Sequence, residues 1–129
     1  MEIIVTGVTA SGALINEAVN VGAHAIVVHH GYFWRGENPR VTGVLKNRLA
    51  TLLRHDINLF TFHLPLDVHP EFGNNAQLAK CMGWAVDDHF GDQDVGFLGR
   101  PAAESTFGLI AETLSCTLGR RAFLVGDVL

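Results

Sequence analysis

Apolar positions along the chain follow two rhythms. Short runs rich in β-branched residues, at residues 2–6, 25–28 and 57–62, read as strands. Between them Leu14, Ile15, Ala18 and Val19 recur at helical spacing, as do Leu45, Leu49, Leu52 and Leu53 within residues 44–54. Strand, helix, strand, helix, strand predicts βαβ units with parallel strands and right-handed crossovers. The punctuation agrees. Gly7 reads as a turn, Thr9 or Ser11 as a helix cap, Gly22 as a helix end and His55 as a C-terminal residue suited to the helix dipole. Lys46, Arg48 and Arg54 read as the solvated face of the second helix.

The later half is less regular. Pro65 and Pro70 predict an irregular, extended segment, followed by a helix at residues 76–82 that an asparagine caps and Gly83 closes. Residues 84–86 and 95–98 read as short strands. Asp87, Asp88, His89, Asp92 and Asp94 between them read as a solvated acidic connection that fails the calcium-loop pattern. Phe107, Ile110, Ala111, Leu114 and Leu118 mark an amphipathic helix ended by Gly119, with a final strand expected at 121–125 and the chain stopping at Gly126-Asp127-Val128-Leu129. The fold class that follows is α/β, a mixed and largely parallel sheet with flanking helices, as a single domain over residues 1–129.

Composition narrows the function classes. Hydrophobic residues at 48% with 17% charged residues suit a packed globule rather than a disordered chain. The net charge of −4 and scattered basic residues give no expectation of a nucleic-acid partner. Glu2 stands where a secretory signal would be basic, and no apolar run is long enough to span a bilayer, so no membrane partner and a cytoplasmic location are expected. Cys81 and Cys116 are far apart in helical patterns and read as buried thiols of a reducing compartment.

Histidine is the unusual count, at seven. Two strands stop at ligand chemistry: one at His29-His30-Gly31, the other ahead of His63, Asp67 and His69. Parallel strands would bring those C-terminal ends to one edge, where open α/β sheets place ligands. Imidazole nitrogens with a carboxylate oxygen suit divalent zinc, iron, manganese, nickel or cobalt. Adjacent histidines on a strand are expected to diverge, and so to serve two neighbouring ions with a carboxylate between them. Paired ions of that kind activate water for hydrolysis, with His63 or His69 as general acid or base. His63 has a second reading, as the residue that orients Asp67 or a ligand histidine. His24, His55 and His89 read as structural. Tyr32-Phe33-Trp34 reads either as a wall over a pocket or as cover for the end of the core. Residues 7–12 lack the lysine and spacing of a P-loop, although a helix N-terminus there suits an anion.

Three stretches together resemble one family. They are Val5-Thr6-Gly7-Val8-Thr9-Ala10-Ser11, Ile26-Val27-Val28-His29-His30-Gly31-Tyr32-Phe33-Trp34, and His63-Leu64-Pro65-Leu66-Asp67-Val68-His69-Pro70 with Gly73-Asn74-Asn75-Ala76. They are similar to the bacterial GTP cyclohydrolase 1 type 2 homologs, the Nif-three-like proteins of dinuclear metal type. The resemblance implies an α/β fold, two transition-metal ions per subunit at the strand ends, and a ring-like homohexamer enclosing a cavity. It implies His29 and His30 as ligands to different ions, Asp67 as a ligand to one of them, and His63 in substrate contact or proton transfer. The implied activity is that of a metal-dependent, cyclohydrolase-like hydrolase acting on a nucleotide or another heterocyclic small molecule. Against the family pattern the chain reads as truncated at both ends, lacking an N-terminal helix and a C-terminal histidine and bridging glutamate. That leaves two alternatives: a non-catalytic metal-binding protein of ring assembly, or an inactive truncated form.

Overall fold

The predicted alternation is realised as β1 (Ile4–Thr9), α1 (Gly12–Asn20), β2 (Ala25–His30), α2 (Gly43–Arg54) and β3 (Asn58–Thr61). This computed structural model describes residues 2–126, so Met1 and the expected chain end at Asp127, Val128 and Leu129 lie outside the described residues. The chain divides between His63 and Leu64 into two units, taken in turn below.

In the first unit the three strands form a parallel sheet in the order β1-β2-β3. Ile26 sits between Val5 and Leu59 in register, and His30 stands opposite Thr9. The buried core joins Ile26 and Val28 of β2 to Ile15 and Ala18 of α1, Leu52 of α2 and Ile57. Fully burying a side chain such as Ile15 or Ile26 stabilises the fold by roughly 1.5–3 kcal/mol each. Ser11 caps α1, its hydroxyl oxygen accepting from the Leu14 N–H at 3.2 Å.

Several expectations need correction here. Gly7 does not turn the chain; it lies inside β1, paired with Val28. A Cβ at Gly7 would come within 2.7 Å of the Leu14 side chain, so glycine serves the approach of α1 to the strand. β1 therefore runs on to Thr9, and β2 keeps strand geometry through both histidines rather than ending at Val28. Leu53 is 81% exposed, because Leu45, Leu49 and Leu52 already fill the narrow inward stripe of α2. Arg48 is half-buried rather than on a solvated face.

The second unit contains α3 (Leu64–Asp67), α4 (Asn74–Met82), β4 (Ala85–Phe90), a short turn at Asp92–Asp94, β5 (Gly96–Arg100) and α5 (Phe107–Leu118). The segment expected to be extended instead makes one helical turn, α3. Pro65 falls in its first turn, where a missing N–H breaks no helical hydrogen bond. The helix cap is Gly73, not an asparagine, since a Cβ there would meet the carbonyls of His69, Leu66 and Asp67 at 2.5–2.8 Å. Gly83 and Gly119 close α4 and α5 in the left-handed conformation, as expected.

The acidic connection is also different: Asp87, Asp88 and His89 belong to β4, antiparallel to β5 with a bulge between Val86 and Asp88. Every position of β4 is exposed, so polar residues carry no burial penalty there, and Asp87 pairs with Arg100 at 3.0 Å. Residues 121–125 pair with no strand among the described residues, and Phe123 is exposed. Among the described residues of this unit the buried side chains are Ala76, Ala79 and Ala111, and Cys81 and Cys116 are exposed thiols rather than buried ones. An apolar cavity of about 370 Å³ lies beside Leu78, Trp84 and Phe97. No helix of the described residues is long and apolar enough to cross a membrane.

Candidate metal centre

Parallel pairing brings the C-terminal ends of β1, β2 and β3 to one edge of the first unit. The ladder continues past the strands: the Phe62 N–H donates to the Val28 carbonyl at 3.0 Å, and the Ala10 N–H donates to the His30 carbonyl at 2.8 Å. These bonds hold His29 and His30, at the end of β2, next to His63, just after β3. The imidazole centroids are 4.5 Å apart for His29 and His30, 4.6 Å for His29 and His63, and 5.3 Å for His30 and His63. Each ring offers a nitrogen, and the three nitrogens lie within 4.8 Å of one another. His29 and His63 are half-buried and His30 is exposed.

The adjacent histidines thus converge instead of diverging. Strand alternation sets only the Cα–Cβ directions. At the end of β2 both long side chains reach past the ladder, and local hydrogen bonds set where the rings come to rest. His29 Nδ1 lies 3.0 Å from the Phe62 carbonyl oxygen. A carbonyl only accepts, so Nδ1 carries a proton, and in the neutral ring the lone pair is on Nε2. His30 Nδ1 lies 3.1 Å from the Thr9 hydroxyl oxygen.

This donor set fits a divalent first-row ion. Two nitrogens on one tetrahedral zinc, each at 2.0–2.1 Å, sit roughly 3.4 Å apart, so small ring rotations bring the three histidines to one ion. Neutral imidazoles that donate their second ring N–H to a main-chain or side-chain oxygen are the usual form of such ligands.

Other residues shape the rim. A Cβ on Gly31 would fall 1.9 Å from the Thr61 hydroxyl oxygen, so only glycine lets the chain leave β2 this close to β3. The loop over residues 31–42 then lays the Trp34 ring against His63, with centroids 4.6 Å apart. The Tyr32 hydroxyl donates to the Ala10 carbonyl and ties the loop to the start of α1. Burial pushes the Tyr32 phenol above its ordinary value, and the nearby Arg48 guanidinium pulls it the other way. Phe33 is exposed and adopts φ +66°. Of the three aromatics, then, one meets a candidate ligand, one anchors the loop and one faces solvent.

Asp67 stands in the second unit, on α3, where the Asn74 side-chain amide donates to its Oδ1 at 2.9 Å. His69 Nδ1 accepts the N–H groups of Glu71 and Phe72 at 3.2 and 3.0 Å, which gives that ring a local turn-forming task. His24 receives the Ile3 N–H, His55 ends α2 and His89 packs edge-on against Phe97, all structural places. Sequence reasoning misses Thr9 and the Phe62 carbonyl as shapers of the site. The one signal that points to Thr9 is parallel register, which puts residue 9 opposite residue 30.

Comparison with known proteins gives one consistent result. The profile of the Duf34/NIF3 (NGG1p interacting factor 3) family matches residues 1–128. A GTP cyclohydrolase 1 type 2 homolog of Escherichia coli strain K12 is 65% identical over 83 residues, 64% of this chain and 34% of the relative. One from Neisseria meningitidis serogroup B is 48% identical over 124 residues, 96% of this chain and 50% of the relative. The solved structure of protein ybgI, described as of unknown function, superposes with a TM-score of 0.89 at 48% identity, covering 97% of this chain and 50% of that one. The chain spans about half the length, or less, of these relatives.

Proposed function

The chain belongs to the Duf34/NIF3 family, and from that premise we propose that it holds a divalent transition-metal ion through His29, His30 and His63. The observation that carries this reading is the convergence of three imidazoles, one of them oriented by the hydrogen bond from its Nδ1 to the Phe62 carbonyl. When bound, such an ion supplies the Lewis acidity by which hydrolases activate water near neutral pH.

The finer reading is a metal-dependent hydrolase of the cyclohydrolase type, acting on a nucleotide or other heterocyclic small molecule. In it His29 and His30 belong to the ligand set, Asp67 supplies a carboxylate, and His63 either ligates or moves a proton at a ring nitrogen. Trp34 packs against the His63 ring, with centroids 4.6 Å apart. A second ion and a homohexameric ring belong to the same reading. Exposed apolar side chains on the sheet, such as Ile4, Val8 and Phe60, support an associating chain.

Metal content and particle size measured on one purified sample test the proposal. The expected result is at least one zinc, iron, manganese, nickel or cobalt ion per chain, lost in the His29→Ala/His30→Ala variant. Turnover that stops with chelator and returns with metal supports the hydrolase. Metal-dependent assembly without turnover supports the non-catalytic alternative. A chain that takes up no divalent ion from micromolar solution overturns the metal reading, and leaves the inactive form.

A further inference from the structure

The hydrogen-bond partners of the two neighbouring histidines differ in kind. The acceptor for His29 is a carbonyl, which admits one tautomer only. The partner of His30 is the Thr9 hydroxyl, which can accept or donate. Only one of those roles is compatible with a ligand. If Thr9 donated to Nδ1, the proton of a neutral His30 would sit on Nε2, and the ring would offer no second lone pair.

We infer that Thr9 is a positioning residue for His30: its hydroxyl oxygen accepts the imidazole Nδ1–H and leaves Nε2 as the nitrogen available to a metal. The inference rests on the metal reading above for its purpose, but not for its geometry. Thr9 is the last residue of β1 and the register partner of His30. Two main-chain bonds fix the backbone directly after it. The Ser11 N–H donates to the Thr9 carbonyl at 2.7 Å, and the Ala10 N–H donates to the His30 carbonyl at 2.8 Å. Its branched Cβ adds stiffness at χ1, so Oγ1 has few alternative places. The competing task for Thr9, capping α1, is performed by Ser11.

Thr9 is exposed, so Thr9→Val keeps the shape, removes the hydroxyl and buries nothing unsatisfied. Thr9→Ser keeps the hydroxyl. Two measurements on the full chain separate this role from a structural one. The first is the His30 tautomer in the metal-free protein, read from ring nitrogen shifts and two-bond proton–nitrogen correlations above the imidazole titration. The second is zinc affinity by competition with a chromophoric chelator. His30 is expected as the Nδ1–H tautomer in the wild type and as a mixture in Thr9→Val. Zinc affinity is expected to fall by about 10–100-fold in Thr9→Val and to recover for the most part in Thr9→Ser.

A wild-type His30 protonated at Nε2 overturns the inference without any variant. So does equal zinc affinity in wild type and Thr9→Val, or a Thr9→Ser as weak as Thr9→Val. A wild-type chain that binds no zinc, yet shows the Nδ1–H tautomer and loses it in Thr9→Val, sinks the metal reading and leaves the Thr9 role standing.

Discussion

His29 donates its Nδ1 proton to the carbonyl oxygen of Phe62 across 3.0 Å. One residue is at the end of β2 and the other directly follows β3, so the bond joins two strand ends and selects a tautomer at the same time. His29→Ala removes both the link and a ligand. Zinc affinity is expected to fall by more than the roughly 10–100-fold that follows loss of an orienting partner alone. Competition with a chelator measures it. An affinity unchanged from wild type would remove His29 from the ligand set.

Gly31→Ala places a methyl group on the Thr61 side chain, whose Oγ1, Cβ and Cγ2 lie 1.9, 3.0 and 3.1 Å from the new atom. The expected destabilisation is about 1–3 kcal/mol, typical of overpacking. Thr61→Ala in the same chain relieves part of it, so the double variant is expected to be more stable than the sum of the singles. Urea unfolding of all four chains measures the coupling. Strict additivity would show that the contact is not the source of the loss.

Trp34 reports on the site because its ring meets His63 at 4.6 Å. In a Trp84→Phe background it is the sole tryptophan of the chain. Zinc titration is expected to change its fluorescence in step with binding, and Trp34→Phe in that background abolishes the signal. Zinc that binds with no fluorescence change would mean that the ion engages other residues.

Tyr32 predicts a pH dependence at the alkaline end. Its folded value lies above the ordinary 10.0, with burial as the cause, so the unfolded chain loses its proton first as pH rises. The folded state then binds more protons than the unfolded state, and stability declines with rising pH. The contribution is complete below about pH 10 and is lost as pH passes through the folded value. Tyr32→Phe removes that alkaline slope. It also loses the hydroxyl bond to Ala10, costing about 0.5–1.5 kcal/mol at neutral pH. Denaturant melts from pH 7 to 11 compare the two chains.

Much of the first unit is legible in the order of its residues. Ile26 and Val28, flanked by helical patterns, announce a buried central strand, and Ser11 reads as a cap because its chemistry acts on its own near neighbours. The departures share one cause. Local habit makes Gly7 a turn and gives the cap of α4 to an asparagine, while the actual constraint on Gly7 and Gly73 is the close approach of atoms from the neighbouring element, Leu14 for Gly7 and the carbonyls of Leu66, Asp67 and His69 for Gly73. The run Asp87-Asp88-His89 looks like loop where burial is taken as the mark of a strand, and β4 is exposed along its whole length.

Sequence alone determined the order of elements in the first unit, the α/β class and the two strands that lead into histidine, because each of these is carried by spacing along the chain; the family came from the resemblance of whole motifs. Tertiary structure decided that His29, His30 and His63 converge, that Thr9 and the Phe62 carbonyl hold two of the rings, and that Trp34 rather than Phe33 meets the third. Those are distances between residues up to thirty-four positions apart, from His29 to His63. They depend on parallel register and on side-chain rotation beyond the end of a ladder, and neither leaves a mark in the periodicity of the sequence.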